Sequence, residues 1–535
     1  MVSWGKSALL TLTLLPMSCV RVGFSEQADA GGPGTFIDSS LVFNDRAASP
    51  DTNADGGSST PGVDAPGIDV EAQLQDAGVG DTGVGDAGVG DAAGDMPDGA
   101  PKPLELVWHQ TLGGPQWDYS YDVAVDKSGN IYVAGAFQGT ADLGDGPVTS
   151  KGGYDVFLTS FDATGALRWQ KVLGGSSTDR SSGVVVDGSG NVTLTGDFEG
   201  TADLGDDGSA TSKGGYDIFI TSFSSAGIYR WQKTLGGSSN EESYGVSVDG
   251  DDNLYVTGDF EGTADLGGGA LTVKGRSDVF ITSLSSTGTH RWQKALGGTL
   301  DDSGHDLTVD SNGDVYLIGD FQGIANLGGG DLSSKGSSDI FISSFTSAGV
   351  HRWQQALGGP LAESSWGVTN DHNGNITLTG SFEDTADLGG GDLSSKGNSD
   401  VFITSYSSTG VHRWQKALGG ALADSGYDVA VDDVGNVFVT GSFFEAADLG
   451  GGDLMGAGNS DIFITSFTSL GAHRWQKALG GPLADSGYDI AIEAGNVTLT
   501  GIFQGTANLG GSDITSKGSS DVFLVTLGTA TWVAP

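Results

Sequence analysis

One phrase returns through this chain at an almost fixed interval. TGVHRWQKALGG occupies residues 409–420, and close copies stand around Trp292 and Trp475. The tryptophans of the phrase are Trp108, Trp169, Trp231, Trp292, Trp353, Trp414 and Trp475, spaced by 61, 62, 61, 61, 61 and 61 residues. A second landmark, the Asp of D-[VI]-F, keeps the same step at Asp155, Asp217, Asp278, Asp339, Asp400, Asp461 and Asp521. The single extra residue falls between Asp203 and Lys213, in a Gly-Asp stretch that a loop can absorb. Self-similarity at this period restricts the fold to like units that bury their apolar faces against one another.

The unit over residues 424–481 parses into four short β-rich runs. Residues 427–431, 437–440, 461–467 and 473–479 are apolar or β-branched, and turn residues or a Gly/Asp loop at 445–460 separate them. No helical period appears. Four antiparallel strands per unit at a period above ~40 residues is the pattern of a propeller blade. The predicted fold class is therefore all-β, a seven-bladed β-propeller of four-stranded antiparallel blades, preceded by a disordered N-terminal tether.

The count also predicts how the ring closes. The last unit has the Asp521 strand but no Arg-Trp-Gln-Lys phrase after it, while Trp108 lies in a spare strand before the first complete unit. Pairing the two removes an open sheet edge that would invite aggregation. Trp532 is a competing candidate for the same edge.

The repeated pattern, with GYDVAVD at 426–432, GNVFVTG at 435–441 and the D-[VI]-F and Trp strands after them, resembles the bacterial seven-bladed beta-propeller repeat family, SBBP. The resemblance covers residues 103–535. It implies a propeller in an exported bacterial protein, and it implies no reaction.

The first hundred residues differ in character. Lys6 precedes an apolar run from Ala8 to Leu15, too short to span a bilayer, and the sole cysteine, Cys19, follows closely. That arrangement is read as a lipoprotein-type signal peptide over 1–18 with Cys19 as the lipidated residue, despite the absence of a Leu three places earlier. A secreted protein with an ordinary leader is the alternative. Residues 19–102 are rich in Gly, Asp and Ala, and are read as a disordered linker with a reach of ~50 Å. The domains expected are thus 1–18, 19–102 and a propeller over 103–535, exported and held at an outer membrane or cell surface. The formal charge of −44 disfavours nucleic acid as a partner.

Residues repeated in every blade are read as scaffold, and this covers the seven tryptophans. It also covers His290, His351, His412 and His473, which sit two places before a Trp on separate blades and do not converge. Departures from the repeat are the better guide to function. Arg180, His305 and Trp366 are placed in the loop or entry to the innermost strand, where neighbouring units have Ser, Gly or Tyr, and Glu241 and Glu242 form an acidic pair in the same loop. With Asp387 and Asp392 of the long Gly/Asp loops they make a candidate binding face. Calcium is a possible ligand at Asp310-Asn312-Asp314 and at Asp249-Asn253, where oxygen side chains alternate. Ordinary turn chemistry explains the same residues. A quinone cofactor is considered at Asp162 to Trp169 and set aside for want of a vicinal Cys pair. No catalytic constellation or metal cluster is identified, and no cofactor is expected.

The expected function is a membrane-anchored interaction module presenting an acidic face to a protein, a glycan or a cation-bridged ligand. An envelope-assembly scaffold and a hydrolase or lyase with a site on the same face are the alternatives.

Overall fold

The computed structural model describes residues 104–205 and 208–528. The leader, Cys19, the 19–102 linker and Trp532 lie outside the described residues. The described chain forms seven four-stranded antiparallel blades. In blade 1 the inner strand is Asp118–Val125, followed outward by Ile131–Asp142, Pro147–Phe161 and Leu167–Gly175. The inner strands of blades 2 to 7 are Asp179–Val186, Glu241–Val248, Asp302–Val309, Glu363–Asn370, Ser425–Val431 and Ser486–Glu493. Each inner strand packs against the next, and the seventh packs against the first. Among the described residues no helix is long and apolar enough to cross a membrane.

Why these residues make such blades follows from burial. A blade is covered on both faces by its neighbours, so its middle strands read as near-continuous apolar runs rather than as an alternation. Every residue of Asp461–Phe467 is buried, as is every residue of Asp400–Tyr406. Seven apolar clusters result, each joining two adjacent blades. One joins Val522 and Leu524 of blade 7 to Val133, Phe137 and Phe157 of blade 1. Full burial of one such side chain is worth about 1.5–3 kcal/mol.

Blade 7 takes its outer strand from the other end of the domain. Glu105–Leu112 pairs antiparallel with Asp521–Gly528, with Gln110 opposite Leu524 and Leu112 opposite Val522.

Two details differ from the sequence reading. The Gly/Asp stretch at 445–460 contains a hairpin, Ala446–Asp448 with Asp453–Met455. Gly450 and Gly452 turn it with φ of 110° and 93°, and Asp448 Oδ1 accepts both of their N–H groups at 3.0 Å. Its first strand pairs with the outer strand of the preceding blade, placing Gly419 opposite Asp448.

The tryptophan phrase also does more than cover a sheet edge. Trp169 Nε1 donates to the Ser225 carbonyl of the next blade at 2.9 Å, and its indole lies against Gly227. Gly227 has φ of 73°, and a Cβ there would stand 2.8 Å from the ring, so the turn requires glycine. Trp231, Trp292, Trp353 and Trp414 repeat the bond at 2.9–3.1 Å. Trp475 is buried against Phe438, and the stretch of the last unit equivalent to Ser469–Gly471 lies outside the described residues. The arginine ties its own blade, as when Arg291 Nη1 donates to Ser283 Oγ at 2.8 Å, and Arg168, Arg230 and Arg413 also donate to the serine carbonyl of the next blade, at 2.9–3.4 Å. The glutamine holds the hairpin tip, as when Gln293 Nε2 donates to Gly269 O at 2.7 Å. The phrase is a latch between blades.

Candidate functional site

A register shift interrupts every inner strand at the same place, for example between Ser120 and Asp122 and between Gly304 and Asp306. Such a bulge re-aims two consecutive side chains. The first positions hold Tyr121, Ser182, Tyr244, His305, Trp366, Tyr427 and Tyr488. The second hold Asp122, Asp306, Asp428 and Asp489, with Gly183, Gly245 and Gly367 in the other three blades.

The four aspartates brace the ring. Asp122 Oδ2 accepts Val184 N–H at 2.6 Å, Asp306 Oδ2 accepts Val368 N–H at 2.9 Å, and Asp428 Oδ2 accepts Ile490 N–H at 3.1 Å. Asp489 Oδ2 accepts Val123 N–H and so carries the brace across the closure. Burial, with the Asp489 carboxylate beside them, pushes Asp122 and Asp428 well above the usual carboxylate range. Burial also lifts Asp306 to about 7. The waist of the ring is thus less negative at neutral pH than its residue count suggests.

One arc breaks the sevenfold repetition. On the second strands of blades 2, 3 and 4, Asp197, Asp259 and Asp320 lie opposite Arg180, Glu242 and Ser303. The equivalent residues elsewhere are Ala136, Ser381, Ser442 and Ile502. Arg180 Nη2 donates to Tyr216 OH at 3.3 Å, and its guanidinium lies 5.3 Å from that ring. Burial pushes Asp197 up to about 7 although Arg180 pulls it down. Tyr244 OH donates to Glu242 Oε2 at 2.9 Å. His305 Nδ1 stands 2.6 Å from Ser365 O and 3.3 Å from Asp320 Oδ1. The His305 ring stacks on Trp366 with centroids 5.0 Å apart and 7° between planes. A guanidinium, carboxylates and a stacked aromatic pair on neighbouring inner strands can hold a polar ligand by hydrogen bonds and face contact.

The structure therefore brings Arg180, Glu242, His305 and Trp366 into one arc, on strands rather than in loops. Glu241 belongs elsewhere. It is the blade 3 counterpart of Asp118, Asp179 and Asp302; it is buried and accepts Gly237 N–H at 2.7 Å, as Asp179 accepts Gly175 N–H. Asp387 and Asp392 are apart from the arc too. They face each other across a hairpin and line, with Lys335 and Pro360, an open cavity of about 360 Å³.

The turn carboxylates considered for calcium are occupied by protein donors. Asp310 Oδ1 accepts Asn312 N–H and Asp314 N–H, its Oδ2 accepts Tyr316 OH, and Asp314 pairs with Arg352 at 3.0 Å. Asp249 is held in the same way by Asp251, Asn253 and Tyr255. These are turn caps. The four repeat histidines lie on separate blades, each beneath a hairpin glycine such as Gly329 over His351, with Nε2 buried and without a hydrogen bond. Sequence reasoning missed Asp197, Asp259 and Asp320. Their signal was present in the G-x-F triplets, which read Gly-Asp-Phe in three blades only.

Comparison with known proteins agrees with the repeat. The chain is 22% identical over 451 residues to an uncharacterized WD repeat-containing protein of Acanthamoeba polyphaga mimivirus, covering 65% of this chain and 32% of that one. It is 26% identical over 239 residues to the regulatory protein FlaEY of Caulobacter vibrioides, covering 41% of this chain and 24% of that one. The chain thus spans a third or less of the length of these relatives. Among solved structures, the WD40 domain of Neurospora crassa Pan2 aligns with 9% identity and a TM-score of 0.41, over 78% of this chain and 90% of that one. A gluconolactonase from Xanthomonas campestris aligns with 11% identity and a TM-score of 0.29, over 63% and 90%. The SBBP family pattern, described as a beta-propeller repeat, matches residues 107–136 and 414–442. The chain carries the SBBP beta-propeller repeat at those two places, within its ring of seven blades.

Proposed function

We propose that this propeller is a binding module, and that its ligand is a protein segment received at the inner-strand arc of blades 2 to 5. The observation that carries the reading is the break in repetition. Arg180, Glu242, His305 and Trp366 replace residues that the ring does not need to vary for packing, and they stand together. Rigid strands hold them, which preorganises a site. Exposed carboxylates at the hairpins, such as Asp331, Asp392, Asp453 and Asp513, add an acidic surround that favours a basic partner.

The test is co-purification of the full-length protein from an envelope extract of its source, with Trp366→Ala and Arg180→Ala beside the parent. The expected result is a partner retained by the parent and lost by both variants. An unchanged set of partners removes the arc from binding. Retention by glycan columns, with equal loss in the variants, would make the ligand a sugar.

We also propose surface anchoring through a lipid on Cys19. Cys19→Ala should move the protein from membrane pellets to the soluble fraction, and identical fractionation refutes the anchor. A hydrolytic reading would rest on the His305–Asp320 approach of 3.3 Å. Among the described residues no hydroxyl or thiol is hydrogen-bonded to the His305 ring, so binding is the better supported reading.

A further inference from the structure

Each junction between blades buries two carboxylates, one at or just before the start of the inner strand and one on the third strand of the preceding blade. In six junctions a lysine stands over them. Lys151 Nζ donates to Gly174 O at 3.2 Å above Asp155 and Asp179, and Lys396 Nζ donates to Gly419 O at 3.2 Å above Asp400 and Asp424. The other four lysines make the same bond at 2.9–3.3 Å. The Lys151 side chain is 49% exposed, so the ammonium position opens to solvent.

The seventh junction, between blades 6 and 7, keeps the carboxylates and lacks the lysine. The loop reads Met455-Gly456-Ala457-Gly458 where blade 4 reads Ser333-Ser334-Lys335-Gly336. Asp461 is 1% exposed. Its Oδ2 accepts Ala457 N–H and Gly458 N–H, and its Oδ1 is left to a charge above it, as Oδ1 of Asp155, Asp217 and Asp521 is in junctions that hold a lysine. That oxygen and Asp485 Oδ2 both lie over Gly480, against the position a Cβ would take there. Asp485 Oδ2 accepts only Gly481 N–H, at 2.7 Å. Gly480 O accepts Asn508 N–H at 2.8 Å, as Gly113 O accepts Asp142 N–H at 3.0 Å while also taking Lys517. One lone pair of Gly480 O thus stands where a sister carbonyl meets its ammonium. Lys151 and Lys396 also pair with Asp203 and Asp448; the equivalent residue at the seventh junction is the neutral Asn508, as it is the neutral Asn326 at the junction of Lys274.

We propose that the Asp461–Asp485–Gly480 cleft is a binding site for a primary ammonium group from outside the chain. The ligand takes the place that a lysine of the chain fills in the other six junctions. The ammonium would donate to the Gly480 carbonyl, as the six lysines donate to theirs, with its charge above the two buried carboxylates.

Ala457 already supplies the Cβ of the missing side chain, so n-propylammonium completes a lysine. Thermal unfolding of the full chain is followed in propylammonium chloride, with sodium chloride and tetramethylammonium chloride at matched ionic strength. The expected result is a saturable rise in Tm of about 1–2 °C over both controls. Ala457→Lys should raise the basal Tm and abolish the response. Asp485→Asn should weaken it about tenfold by calorimetric titration; if that variant does not fold, Ala457→Lys decides. A response no larger than that to tetramethylammonium overturns the proposal, and so does a full response in Ala457→Lys. A rise with calcium chloride but not with propylammonium makes this a metal site and equally overturns it. Titration with a capped Gly-Gly-Lys-Gly-Gly peptide separates the sources. Tighter binding of the peptide than of propylammonium points to a lysine on a protein partner, and the reverse order to a free amine.

Discussion

The indole Nε1 of Trp108 donates to the carbonyl of Ala163 at 3.1 Å. Trp108 lies on the outer strand of blade 7 and Ala163 on a turn of blade 1, so this bond latches the two ends of the ring. It has the form of the bond between Trp169 and Ser225 inside the ring. Closure therefore uses the same device as the five junctions from blade 1 to blade 6, with the strand itself supplied from the N-terminal side. Removing residues 1–102 should leave a folded domain. Removing residues 1–114 also deletes Glu105–Leu112, exposes the edge of Asp521–Gly528 and orphans the latch. That truncation should aggregate on size-exclusion chromatography and melt far below the first. Equal melting temperatures would show that the strand is dispensable.

The latch predicts a graded cost for single tryptophans. Trp292→Phe keeps an aromatic body over Gly349 and loses the hydrogen bond to Ser347 O, at a cost of about 0.5–1.5 kcal/mol. Trp292→Ala also loses the packing and should cost about 3–5 kcal/mol. Trp475 is fully buried, on Phe438, where Trp292 is half-buried, so its packing should count for more. Trp475→Phe should therefore cost more than Trp292→Phe. Denaturant unfolding of the three variants measures the difference, and equal costs for Trp292→Phe and Trp292→Ala would deny packing a role.

Most of the ring was legible because its cause is periodic. A 61-residue step, four strand-like runs and one spare phrase suffice for blade count and closure. The channel residues were less legible because a bulge decides which way a side chain points. Tyr121 and Asp122 are adjacent, yet the shift between Ser120 and Asp122 takes both out of simple alternation. Glu241 looked like half of an acidic pair because Glu242 follows it. Burial and the bond to Gly237 N–H show that it does the work of an aspartate in other blades. The lysine missing at Ala457 is visible only once the other six lysines are seen to share one task.

The junction carboxylates make stability depend on pH with an unusual sign. Burial pushes Asp118, Glu241, Asp302, Glu363 and Asp485 up to about 7. The folded state then binds more protons than the unfolded chain between those values and the ordinary carboxylate range. Their contribution is fully present below the unfolded values and is lost as pH rises through about 7. His351, His412 and His473 act oppositely, because burial lowers them from 6.5; their contribution is lost as pH falls below that value. Tm should be higher near pH 6 than near pH 8 at fixed ionic strength. Glu363→Gln and Asp485→Asn should flatten the slope. A Tm that climbs between those two pH values would show the carboxylates ionised at little cost.

The arc at the inner strands predicts coupling between Arg180 and Asp197. The Arg180 guanidinium pulls the buried Asp197 carboxyl down, against burial and against the Glu242, Asp179 and Asp259 carboxylates, which all push it up. Arg180→Leu removes that compensation and leaves a carboxylate that must ionise unpaired or take up a proton, so the cost should reach about 3–5 kcal/mol near pH 8. The cost should shrink near pH 5, where Asp197 is protonated in either protein. Asp197→Leu alone leaves the guanidinium to Tyr216 and Glu242 and should cost less. In the double variant Arg180→Leu with Asp197→Leu, neither charge remains, and the coupling energy should be about 1–3 kcal/mol. Urea unfolding at the two pH values gives all four corners of the cycle. Additive costs, independent of pH, would show that Arg180 holds the arc by packing on Tyr216 and that its charge is free to meet a ligand.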